Sequence, residues 1–279
     1  MHKIVVKSTM TPTVSIVIPC YNHGAYLQEA IESIEKSSGG TSFEIIIVDD
    51  GSTEPSTLVT LQELKEKGYN LIRQNNQGLA AARNNGIAAA KANYILPLDS
   101  DNKVHSNYLT QAVDILDQDS SVDVVYGNPI FFGDSDRGAG LRQVGEFSFI
   151  KMLDCNYIDA CALYRKSLWE KVGGYDGKMA FMGHEDWEIW INMFLSGGKF
   201  HYLNKACFYY RVVANSMSAS DSYEASKHIV NKEYIYGKHH SGIISYLLDI
   251  AKKYEFHNAY LENNKLKFII KVALGYNTY

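Results

Sequence analysis

A chain of 279 residues with 46% hydrophobic and 21% charged side chains suits one large globular domain, or one domain with an extension. A net charge of −4 gives no electrostatic case for nucleic acid as the main partner. No run approaches the roughly 18 to 20 apolar residues that cross a bilayer, and Met1 to Thr11 lacks an apolar core of signal-peptide length, so a soluble, cytoplasmic protein is expected.

The pattern alternates regularly from Val14 to Gly127. Val14-Ser15-Ile16-Val17-Ile18 predicts a strand, stopped by Pro19. Tyr26 to Ile34 has helical spacing, with Leu27, Ala30, Ile31 and Ile34 on one face. Glu44 to Val48 predicts a second strand, Leu58 to Lys67 a helix closed by Gly68, and Leu71-Ile72 a short third strand. Leu79 to Ala92 is an alanine-rich helix suited to close packing on a sheet. Tyr94 to Leu98 is a fourth strand, Asn107 to Leu116 a helix and Val122 to Tyr126 a fifth strand. Strands alternating with helices predict a largely parallel sheet covered on both faces, joined by right-handed crossovers.

After Gly127 the rhythm breaks. Gly133 to Gly145 reads as a glycine-rich loop. Asp159 to Tyr164 predicts a strand, Leu168 to Val172 a short helix, Asp186 to Leu195 a helix and Ala206 to Val213 a strand. From about Ser222 the chain reads as mostly helical, ending in the basic-apolar segment Lys265 to Leu274. The four cysteines (Cys20, Cys155, Cys161, Cys207) form no C-x-x-C pair, so no zinc site is expected.

Acidic residues fall where predicted strands give way to loops. Asp49-Asp50 ends the apolar run Ile45 to Val48, and Asp99-Ser100-Asp101 ends Tyr94 to Leu98. In an open α/β sheet the carboxyl ends of the strands form the ligand crevice. Carboxylates gathered there suit a hard divalent cation and a phosphate-bearing ligand. One acid of Asp49-Asp50 can accept from a base or ribose, or Asp50 or Ser52 can cap a helix. Tyr21 can stack on a flat ring or simply occupy a turn. Gln77-Gly78 and Arg83, around a helix start, suit a diphosphate; an ordinary surface arginine is the competing account. Asp99 and Asp101 can reach a Mg²⁺ or Mn²⁺, or form a plain polar turn. His184-Glu185-Asp186-Trp187 offers a carboxylate as general base, or acids favoured by a helix N-terminus. Arg211, at a strand end, suits an anionic ligand or a surface acid.

The order and spacing of these segments carry more than any one of them. Val14 to Asn22, Ile47-Val48-Asp49-Asp50-Gly51-Ser52-Thr53, Gln77 to Asn84, Leu98-Asp99-Ser100-Asp101 and Gly183-His184-Glu185-Asp186-Trp187 together resemble the family 2 glycosyltransferases over about residues 12 to 218. The resemblance implies the GT-A fold. Residues 12–127 would be a nucleotide-binding half and 128–221 an acceptor-binding half, followed by a helical extension over 222–279. It also implies a nucleotide-sugar donor, usually UDP-linked, a Mn²⁺ or Mg²⁺ ion, and inversion at the anomeric carbon. The acceptor would be a glycan or a lipid-linked saccharide.

By position, the resemblance implies that Tyr21 stacks on the base, Pro19 lines its pocket and Asp50 hydrogen-bonds it, with Arg83 nearby. Asn22, Gln77, Gly78 and Ser100 fall in the same donor-binding motifs. Asp99 would contact the ribose or the metal shell, and Asp101 the metal at the diphosphate. Asp186 would be the base, Glu185 would orient the acceptor, and Trp187 would shape the sugar pocket. Members often carry a metal-binding histidine two residues after an arginine near the position of Arg211; Val213 stands there instead. The metal would then rest on Asp101, diphosphate and water, or on a residue such as His201.

Two rival classes are a non-catalytic nucleotide-sugar-binding or scaffold domain, and a nucleotidyltransferase that makes the activated sugar. The second wants a glycine-rich basic loop after the first strand, and Cys20-Tyr21-Asn22-His23-Gly24 matches it poorly. The segment Lys265 to Val272 has two readings: a helix resting peripherally on an anionic membrane, or one packing on the catalytic domain or pairing subunits as a homodimer.

Overall fold

A computed structural model describes residues 11–133, 139–213 and 225–263. In chain order the elements are β1 (Val14–Cys20), α1 (Gly24–Ser37), β2 (Phe43–Asp49), α2 (Pro55–Glu66), β3 (Asn70–Arg73), α3 (Leu79–Ala89), β4 (Tyr94–Pro97), β5 (Lys103–Val104) and α4 (Tyr108–Gln118). Then come β6 (Val124–Gly133), β7 (Gly140–Leu141), α5 (Phe149–Asp154), β8 (Leu163–Arg165), α6 (Lys166–Val172), α7 (Glu185–Leu195), β9 (Phe200–Val212) and α8 (Ala225–Asn263). The segment Lys265 to Leu274 lies outside the described residues.

The sheet order is β3-β2-β1-β4-β8-β6-β9-β5, with β7 paired to β6. The strands β3, β2, β1 and β4 are mutually parallel. All seven residues of β1 are buried, as a strand covered by helices on both faces requires. The apolar stripe of α1 (Leu27, Ala30, Ile31, Ile34) faces this core. The small residues of α3 let it lie close on the sheet. A Cβ at Gly86 would sit 2.4 Å from Val17 Cγ1 and 2.9 Å from Val48 Cγ2.

The second half departs from the predicted elements in two ways. The strands β6 and β9 are longer than their sequence signals, because they pair with each other in parallel from Val124↔Phe200 to Gly133↔Val212, across a register shift at Gly127 to Pro129. The strand expected over Asp159 to Tyr164 forms only as Leu163–Arg165. Upstream of it, Cys161 N donates to Asp159 Oδ1 at 2.8 Å and Ala162 N to Ala160 O at 2.7 Å. These local bonds compete with a sheet ladder and turn the backbone aside.

The pairing of β8 has a consequence for the site. It runs antiparallel to β4, with Ile95 opposite Tyr164. The residues entering β8 therefore emerge at the same edge of the sheet as those leaving β4. The chain divides into two compact units, one ending at Lys232 and the other beginning at Glu233. Among the described residues, no helix is long and apolar enough to cross a membrane.

Candidate active site

The loops after β1, β2 and β4 open on one edge, because Cys20 pairs with Asp49 and Val17 with Pro97. Tyr21 stands at this edge, 49% exposed, so a flat ring has access to its face. Pro19 is buried in β1 opposite Val48. Asn22 adopts a left-handed backbone (φ 51°). Its Oδ1 accepts from Thr53 N (2.8 Å) and Glu54 N (2.9 Å), and its own N–H donates to Ser52 Oγ. Asn22 thus ties the first loop to the second.

Asp50 is buried and shapes the third loop. Its Oδ1 accepts from Gln74 Nε2 (2.7 Å) and Gln77 N (2.8 Å), and its Oδ2 from Gly78 N (2.9 Å). Helix-cap duty does not fall to Asp50 or Ser52: α2 starts after Glu54, with Pro55 in its first turn. The exposed Gln77 and the half-buried Gly78 lead into a small open crevice. Leu79 and Ala80 share their wall, and Asp176, Met179, Phe181, Met182 and Glu185 line the other.

Arg83 is the hinge of the arrangement and is only 2% exposed. Its Nη2 donates to Asp99 Oδ1 at 2.6 Å and its Nη1 to Glu185 Oε1 at 2.7 Å. The guanidinium also lies over the Tyr175 ring, 5.4 Å from its centroid. The neighbouring carboxylates of Asp99 and Glu185 hold the guanidinium firmly charged against the cost of burial. The sequence allows Arg83 to be a diphosphate ligand or a surface residue. The surface account fails, because α3 turns Arg83 inward between two acids far apart in the chain.

Asp99 and Asp101 flank the buried Ser100, whose Oγ lies 3.1 Å from His23 Nδ1. Burial first, then the charge of Asp99, pushes the Asp101 carboxyl up to about 6. The Asp101 and Asn102 stretch is anchored from β9: Arg211 Nε donates to Asp101 O at 3.0 Å, and Arg211 N to Asn102 Oδ1 at 3.0 Å. Arg211 also pairs with Glu29 at 2.7 Å. Among the described residues no three acidic, histidine or cysteine side chains converge on one point. Two crowded carboxylates still suit a hard cation that completes its shell with phosphate oxygens and water. His201 does not join them. It opposes Val125 near the start of β9, ten residues before Arg211 and, at ~3.3 Å per strand residue, roughly 30 Å from it.

The third acidic motif sits at the N-terminus of α7. Glu185 is buried; beyond Arg83, its Oε2 accepts from Gly183 N at 2.9 Å. Both its oxygens are therefore engaged within the protein. Asp186 is partly open, with Oδ1 accepting from Trp187 N (2.8 Å) and Oδ2 from Asn156 Nδ2 (2.9 Å). Burial, and after it the charge of Glu185, raises the Asp186 carboxyl well above the usual carboxylate range. Trp187, expected at a sugar pocket, is fully buried: its indole donates to Met152 O and stacks on His228.

The loop before α7 is pinned from α8. Phe181 N donates to Asn231 Oδ1, and Asn231 Nδ2 to Phe181 O. His184 Nε2 lies 2.9 Å from His228 Nδ1. Burial, with the nearby His228 charge, lowers His184 to about 4 and keeps it neutral.

Two residues of this edge have no place in the sequence motifs. Asn156 touches Asp186. Asp159, whose carboxyl is pushed up to about 7 by burial and then by Asp99, stands within the field of Asp99, Asp101 and Arg83. A lone acid inside Ile158-Asp159-Ala160-Cys161-Ala162 is the one sequence signal for either.

The profile described as Glycosyl transferase family 2 matches residues 15–189. The glycosyltransferase GlyA of Streptococcus pneumoniae is 28% identical over 224 residues, which are 74% of this chain and 31% of GlyA. The minor teichoic acid biosynthesis protein GgaB of Bacillus subtilis is 27% identical over 252 residues, 86% of this chain and 27% of GgaB. The chain thus spans about a third or less of the length of these two relatives. In shape it is similar to S. aureus TarS (residues 1–349) in complex with UDP-GlcNAc, with a TM-score of 0.59 at 22% identity, over 75% of this chain and 61% of that one. It is also similar to the mannosyltransferase PcManGT of Pyrobaculum calidifontis in complex with GDP-Man and Mn²⁺, with a TM-score of 0.54 at 19% identity, over 76% and 60%. These likenesses establish the GT-A fold, and the profile match establishes the lineage: the chain belongs to glycosyl transferase family 2.

Proposed function

We propose that this chain transfers a sugar from a UDP-linked donor to a hydroxyl of a glycan or lipid-linked acceptor, with inversion at the anomeric carbon. The observation that carries the reading is the Arg83 fork. One guanidinium holds Asp99 of the β4 loop and Glu185 of α7 within about 8 Å of each other, which ties the proposed donor-end loop to the helix that carries the proposed base. The family membership, and the UDP-GlcNAc and GDP-Man named for the TarS and PcManGT structures, support a nucleotide-sugar donor.

In this reading Tyr21 stacks on the base, and the Asp50-built loop at Gln77 and Gly78 borders it. Asp101, with Asp99 beside it, would hold a Mn²⁺ or Mg²⁺, which when bound offsets charge on the departing diphosphate. Asp186 takes the proton of the acceptor hydroxyl. The acceptor oxygen forms its bond to the anomeric carbon from the opposite face as the bond to the diphosphate breaks, and UDP leaves. A base whose ordinary acidity is weakened by burial is better matched to a neutral-pH proton transfer. Glu185 acts through Arg83 rather than by direct contact, and Trp187 acts by packing.

UDP-glucose, UDP-galactose and UDP-N-acetylglucosamine, each supplied with Mn²⁺, are the test. Slow release of UDP from at least one of them is expected without acceptor. Binding of UDP with no release from any of them would favour the scaffold reading instead.

A further inference from the structure

The fold devotes unusual care to one irregular stretch. Residues 155–162 have neither helix nor strand, yet two buried tryptophans of α7 fix the chain on either side of Asn156, one at α5 just before the stretch and one within it. Trp187 Nε1 donates to Met152 O at 2.6 Å, and Trp190 Nε1 to Ile158 O at 3.0 Å. Spaced three apart, the two indoles lie on one face of α7. Between their two anchor points stands Asn156.

Its amide can face only one way. Asn156 Oδ1 accepts from Ile158 N, which turns Nδ2 toward Asp186 Oδ2, 2.9 Å away. A flipped amide would set an oxygen against a carboxylate oxygen. Asp186 therefore has one fixed donor on each oxygen, Trp187 N on Oδ1 and Asn156 Nδ2 on Oδ2. One lone pair on each oxygen is left for an incoming hydroxyl.

We propose that Asn156 is a positioning residue that holds the Asp186 carboxylate at the angle from which it takes the acceptor proton. The inference rests on the reading of Asp186 as base. The charged and titratable groups facing Asp186 are Glu185 on its own helix, Arg83 from α3, Asp159 from the Asn156 stretch and Tyr175 after α6. Only Arg83 among them favours the carboxylate, and it is already shared between Asp99 and Glu185. Asn156 supplies the side-chain hydrogen bond that favours the ionised form.

The test titrates Asp186 directly, in the full chain labelled with ¹³C at aspartate carboxyls. The Asp186 resonance is the one that disappears in Asp186→Asn. In Asn156→Ala its midpoint is expected to rise by about one pH unit, because a donor to the charged form is lost. Hydrolysis of UDP-glucose, UDP-galactose and UDP-N-acetylglucosamine with Mn²⁺ gives the parallel readout. Its acidic limb should move up by the same amount, with rates converging above it. Asn156→Asp, nearly isosteric, should move the midpoint further and serves if the alanine variant misfolds. An unmoved midpoint, or an activity loss equal at every pH, overturns the role of Asn156 while leaving the base assignment intact. Full hydrolysis by Asp186→Asn overturns the base assignment, and the inference with it.

Discussion

Replacing Arg83 by leucine tests the feature on which the site depends. The substitution keeps much of the aliphatic bulk and removes the charge. Glu185, whose side chain is 5% exposed, then has a buried negative charge with no cation beside it. Breaking a buried pair from one side costs ~3 to 5 kcal/mol. Asp99 adds little, because its side chain is 31% exposed and water screens it. The expected total is therefore set by Glu185, at about 4 kcal/mol, enough to move the midpoint of a urea titration down by roughly 1 M or more. If the loss comes from an orphaned charge, Arg83→Leu with Glu185→Gln should recover about half of it, whereas Glu185→Gln alone should not stabilise. Turnover should be absent in both Arg83 variants, since Asp99 and Glu185 lose their common anchor. A single variant within about 1 kcal/mol of wild type would refute the reasoning.

Asp186→Asn should lower turnover by ~10² to 10⁴ while calorimetric UDP binding survives; wild-type turnover would remove Asp186 from the mechanism. The same variant has a stability signature. The folded Asp186 carboxyl is raised above its unfolded value, so the wild type gains stability below the unfolded value and loses it as pH rises through the folded one. Asp186→Asn should therefore melt higher than wild type at pH 8, with the gap closing by pH 4, and parallel melting curves would contradict the burial account. Asp101→Ala should weaken Mn²⁺-dependent UDP binding; an unchanged titration would place the cation elsewhere. Gly86→Ala should cost ~1 to 3 kcal/mol, because its Cβ would meet Val17 Cγ1 at 2.4 Å; an unshifted melting point would mean that α3 can slide on the sheet.

The Asn22 and Asp50 contacts show how far a motif carries without its fold. By position in their motifs, both residues read as ligand contacts. Each also makes several hydrogen bonds that build the loops at the carboxyl edge of the strands. The residue types suit the place, since short polar side chains at strand ends satisfy loop N–H groups. Their direct part in binding is a separate matter from their part in shaping the edge.

The alternating strands and helices of the first half, and the acids at the strand ends, are legible in the sequence. Both are local facts: buried strands are short apolar runs, and periodicity separates them from the helices between. The half of the domain beyond Gly127 is less legible, because β6 and β9 owe their length to each other rather than to their own residues. The meeting of Arg83 with both Asp99 and Glu185, and of Asn156 with Asp186, cannot be read from the sequence at all. These contacts bridge 16, 102 and 30 positions. The last of them follows from β8 running antiparallel to β4, which brings its approach segment to the acidic edge. Pairing direction is a property of the whole sheet, chosen by the summed packing of its strands, and no local stretch of sequence encodes it.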